Sequence, residues 1–103
     1  MARTSKAKRP TYRADLLEAL KNPREALAYL KAALEETDAP EVFLVALRNV
    51  AEARGITRLA REAHMNREHL YRLLSKRGDP SLGSLSAILA ALGLKLSLKH
   101  RAA

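Results

Sequence analysis

Residues 56 to 75, ITRLAREAHMNREHLYRLLS, constrain this chain more than any other stretch. Two short apolar registers are separated by a break of a few residues, so the segment reads as two helices joined by a tight turn, a helix-turn-helix. Leu59, Ala60 and Ala63 share one face of the first helix, Met65 lies beyond the turn, and Leu70, Leu73 and Leu74 form the inward face of the second. With that face committed to a core, Arg67, Glu68, His69, Tyr71 and Arg72 remain on the outward one. Such a face suits the major groove, where arginine donates two bonds to a guanine edge and glutamate accepts one from cytosine. Double-stranded DNA is the first partner these residues imply.

The formal charge of +8 is unevenly placed. Residues 1–13 carry five basic groups and no acid; residues 14–54 carry five basic against eight acidic; from 55 onward there are nine basic against three acidic. A polyanion is drawn to the C-terminal part, whereas the middle suits a basic partner. With 103 residues the chain is expected to form one domain. Cysteine is absent, which removes disulfides and thiolate metal sites and suits a reducing cytoplasm. The basic start MARTSKAKRP is followed by no apolar run, so neither a signal peptide nor a membrane span is expected.

Residues 1–12 lack periodicity and read as a flexible basic arm, either a minor-groove contact or a solubilising tail, ahead of a single domain over 13–103. Leu16, Leu17 and Leu20 predict a short helix over 14–21. Asn22-Pro23 then starts another, with Asn as cap and Pro at the first position, and Leu27, Leu30 and Leu34 recur at helical spacing. Asp38 and Glu41 have capping-box spacing before a helix that places Phe43, Leu47, Val50 and Ala51 on one face. Gly55, Gly78 and Gly93 follow apolar patterns as stop signals. Leu85, Ile88, Leu89 and Leu92 mark a further helix from near Gly83. Finally Leu94, Leu96 and Leu98 alternate with Lys95, Ser97 and Lys99, a period of two that predicts a short strand needing a partner. The expected fold is all-α, with five or six helices and this C-terminal β-strand.

Arg67, Glu68 and Arg72 occupy positions suited to base edges, and Asn66 can cap the helix and approach a phosphate. Thr57, His69 and Tyr71 are further candidates for phosphate or base contact. Lys76 and Arg77 fit DNA, but a helix C-terminus also attracts cations. His64 and His69 stand five apart with no nearby third ligand, so no metal site is expected. Neither a nucleophile motif nor a phosphate-cradling glycine loop occurs, so neither catalysis nor a cofactor is expected. Glu35, Glu36, Asp38 and Glu41 gather at a helix junction, either as solvated caps or as a surface for a cationic protein.

With AYLKAALEETDAPEVFLVALRNVAEARGITRLARE, HLYRLLS and LSAILAALGLKLSL in that order, the chain resembles the Xre-type antitoxins of the HigA-like group, the addiction module antidote proteins, over residues 14–98. The resemblance implies a lambda-repressor-like helix-turn-helix domain. It also implies a dimeric repressor of its own operon that neutralises a RelE/ParE-fold, HigB-like toxin as part of a type II toxin–antitoxin system. A stand-alone Xre-type transcriptional regulator without a toxin is the alternative. Ala60 matches the small residue between the two helices of the motif. The sequence departs from the family pattern at His64, where a turn glycine is usual, and at Asp79 and Leu82, where asparagine and phenylalanine often flank the proline.

Overall fold

The computed structural model describes residues 8–35 and 38–102. Its elements are α1 (Lys8–Leu20), α2 (Pro23–Glu35), α3 (Pro40–Arg54), α4 (Ile56–Glu62), α5 (Arg67–Leu73) and α6 (Leu82–Ala91). Helix α3 is central: it packs against α1, α2 and α4, and α4 in turn packs on α5 and α6. The core follows the leucine registers, with Leu47, Leu59, Leu70, Leu74 and Ile88 almost wholly withdrawn from water. Burying one such side chain stabilises the fold by about 1.5–3 kcal/mol, so α5 is fastened by its underside.

Several helix starts obey local chemistry. The Asn22 Oδ1 accepts the backbone N–H groups of Arg24 at 2.8 Å and Glu25 at 3.3 Å, capping α2. At α3 the capping box does not form. Ala39, not Asp38, is the N-cap, at φ −91° and ψ 109°. Pro40 explains the shift, because it disfavours a helical residue before it and fits the first turn, so the helix starts after Asp38 has passed. Helix α1 begins at Lys8 rather than near 14, and residues 1–7 of the predicted arm lie outside the described residues. Pro10 sits in its first turn, where the missing N–H removes no helical bond.

The C-terminal strand is the main correction. Among the described residues there is no strand, and residues 94–100 have no regular structure. Leu94 instead completes a helix stop. Its N–H donates to the Leu89 carbonyl at 2.8 Å and that of Gly93 to Ala90 at 2.9 Å, with Gly93 at φ 81°. This is the two-bond termination that places an apolar residue back on the helix it ends, and Leu94 packs on the core. Beyond it the alternating leucines have no neighbouring strand to bond, and an unpaired segment forms no ladder.

The same stop recurs inside the helix-turn-helix. The Met65 N–H donates to Ala60 at 2.9 Å and that of His64 to Arg61 at 3.1 Å. Here the left-handed position is held by His64 at φ 60°, the only non-glycine residue with positive φ among those described. Gly78 serves a different purpose: a Cβ there would overlap the Leu73 carbonyl, so the chain leaving α5 can pass that close only without a side chain.

Candidate nucleic-acid interface

Helix α5 starts at Asn66, whose Oδ1 accepts the His69 N–H at 2.7 Å. Leu70 and Leu74 are buried beneath it, which fixes its rotation. Arg67, Glu68 and Arg72 therefore stand exposed, while His69 and Tyr71 are half-buried along the flanks. Thr57 is exposed in the first turn of α4, and Lys76 and Arg77 are exposed after α5. The structure thus brings Asn66, Arg67, Glu68, His69, Tyr71 and Arg72 onto one short helix and its cap, with the two later cations just past its end.

Two contacts organise that surface. The Arg72 Nη2 lies 3.1 Å from His69 Nδ1. A guanidinium only donates, so Nδ1 is the acceptor and the neutral ring carries its proton on Nε2, leaving a second donor on the helix. Tyr71 is approached by two cations: the Arg48 guanidinium carbon is 5.2 Å from its ring centroid and that of Arg67 is 5.9 Å. Arg48 belongs to α3 and lies outside the sequence motif. Its sequence signal is only the spacing to Glu52, four residues on, whose Oε2 is 3.6 Å from Arg48 Nε. Glu52 also pairs with Arg13 of α1.

The acidic junction lies between α2 and α3. Glu35, Asp38 and Glu41 are exposed and none takes part in an ion pair among the described residues, whereas Glu36 lies outside them. Glu41 borders a cleft of about 540 Å³ whose walls are Tyr29, Ala32, Ala33, Val42, Val45 and Ala46, and Lys76 stands at its edge. On the other side of α2, Leu96 and Leu98 are exposed together with Leu27 and Leu34, beside Lys31, Lys95 and Lys99. His64 and His69 stay apart from further ligands: among the described residues, no three metal-capable side chains come together. No helix there is long and apolar enough to cross a membrane.

Comparison with known proteins places the chain in a family. The profile of a family described as "Probable addiction module antidote protein" matches residues 11–100. An uncharacterized protein of Haemophilus influenzae is 35% identical over 86 residues, which cover 84% of this chain and 88% of that relative. No solved structure matches the chain.

Proposed function

The chain belongs to the probable addiction module antidote protein family, and from that premise we propose that it is a DNA-binding antitoxin of the HigA-like Xre type. In this reading it acts in the cytoplasm, represses its own operon and neutralises a RelE/ParE-fold toxin by binding it, with no catalysis of its own. The observation that carries the DNA half is the fixed rotation of α5, with Leu70 and Leu74 inside and Arg67, Glu68 and Arg72 outside. Net positive charge supplies salt-dependent affinity, and the exposed side chains that reach base edges, Glu68 and Arg72 among them, supply choice of base. A homodimer held through the exposed leucines at 27, 34, 96 and 98 presents two such helices to half-sites about 34 Å apart.

The toxin half rests on family membership together with the α2–α3 cleft. Its walls are largely apolar, and the carboxylate of Glu41 at its border forms no ion pair among the described residues, so a basic toxin surface meets both needs. That unpaired acidic surface also favours an antitoxin over a stand-alone regulator.

Gel-shift titration of the DNA upstream of its gene tests the first half. Arg72→Ala is expected to weaken specific binding by about 1–3 kcal/mol and to leave binding to a mixed-sequence duplex nearly unchanged. Equal losses on both duplexes would contradict a base-reading role. Co-purification with the product of the adjacent open reading frame tests the second half. Charge reversal of Glu41 should weaken that complex, and its indifference would remove the cleft from the interface.

A further inference from the structure

The cations around Tyr71 are arranged in a way that the helix-turn-helix alone does not require. Arg48 from α3 and Arg67 from α5 both lie inside the ~6 Å of a ring centroid at which a guanidinium feels the face of an aromatic ring. Like charges drawn to one side chain repel, and an anion seated between them relieves the repulsion more than solvent screening does. Within the described residues the anion present is Glu52, which Arg48 shares with Arg13. Arg67 makes no ion pair there. Two guanidinium groups therefore meet at this flank of α5, while the carboxylate beside Arg48 is shared with Arg13 of α1, so the flank is left positive.

We propose that Arg48, Arg67 and Tyr71 form a binding site for a DNA phosphodiester, with Arg48 a backbone contact supplied from outside the helix-turn-helix. This rests on the DNA-binding reading above and divides the labour within it. Arg67 and Tyr71 are four residues apart and so share one flank of α5, next to α3, while Glu68 and Arg72 form the neighbouring strip. The first strip grips the backbone and sets the angle of entry, and the second meets base edges. Arg48 is well prepared for that task. Its side chain is 43% exposed, and stacking on a ring leaves the in-plane N–H groups free to donate to two phosphate oxygens. Glu52 holds the same guanidinium by one edge and competes with the phosphate for it.

The test is fluorescence-anisotropy titration of the full chain over a range of salt concentrations. The two probes are a duplex from upstream of its own gene and a mixed-sequence duplex of equal length. Arg48→Ala is expected to weaken both by the same factor and to reduce the slope of log affinity against log salt by about 0.9, the value for one lost phosphate contact. Arg48→Lys should retain that slope. Glu52→Gln, which removes the competing carboxylate, should bind both duplexes more tightly, a gain that unfolding cannot produce. Loss of affinity with an unchanged slope would assign Arg48 to packing and overturn the proposal, as would a loss confined to the upstream duplex. If the wild-type chain binds neither duplex at low salt, the DNA-binding reading itself fails and takes this site with it.

Discussion

His64→Gly should make the protein more stable, although it deletes an entire side chain. His64 holds φ 60° at the stop of α4, in the region where an L side chain crowds its own carbonyl, at a cost of about 1–2 kcal/mol. The ring offsets little of this, since the residue is exposed and its side chain makes no hydrogen bond among the described residues. Glycine relieves the strain but widens the unfolded ensemble, which costs about 0.4–1 kcal/mol. The balance is a gain of about 0–1.6 kcal/mol, whose midpoint of ~0.8 kcal/mol is equivalent to a rise in Tm of roughly 3–6 °C for a domain of this size. Gly93 supplies an internal control, because it closes α6 with the same pair of backbone bonds at φ 81°. A Cβ there would meet no atom within 4 Å, so Gly93→Ala carries the backbone cost without a clash and should lower Tm. Thermal unfolding followed by circular dichroism reads both variants. A fall in Tm for His64→Gly would refute the reasoning, since it would mean that the imidazole contributes more than its backbone costs.

Other substitutions probe what holds α5. Leu70→Ala removes a fully buried side chain and should cost about 3–5 kcal/mol in urea unfolding, enough to abolish the proposed DNA binding by loosening the helix. Asn66→Ala deletes the α5 cap and should cost about 1 kcal/mol, whereas Asn66→Asp should retain most of it. Gly78→Ala forces a methyl group against the Leu73 carbonyl and is expected to destabilise by about 1–3 kcal/mol or more; an unchanged midpoint would show that the turn moves freely.

The parts that could be foreseen are those governed by near neighbours in sequence. Leu59, Leu70 and Leu74 declared their helices because burial repeats every three or four residues, and Asn22-Pro23 announced a helix start because both residues act within one turn. At position 64 the family resemblance, with its usual turn glycine, marked the place where the backbone takes positive φ. What escaped notice depended on distant or missing neighbours. Residues 8–13 have no apolar stripe, yet the backbone there is helical and Arg13 reaches Glu52 and Asn49 of α3. Arg48 and Tyr71 are far apart in sequence and meet only when α3 and α5 are folded. The leucines after Gly93 alternate as a strand would, but alternation describes one face and says nothing of the backbone partner that a strand requires.

Lys76 stands at the edge of the α2–α3 cleft and also lies two residues past the Leu74 cap of α5. One ammonium thus belongs to two neighbourhoods, and it cannot serve two anions fully at once. Any protein that fills the cleft and engages Lys76 changes what DNA finds there, and by linkage DNA must alter that protein's affinity by the same factor. Under the proposed function, repression and antidote activity would then form a single thermodynamic cycle, closed through one lysine.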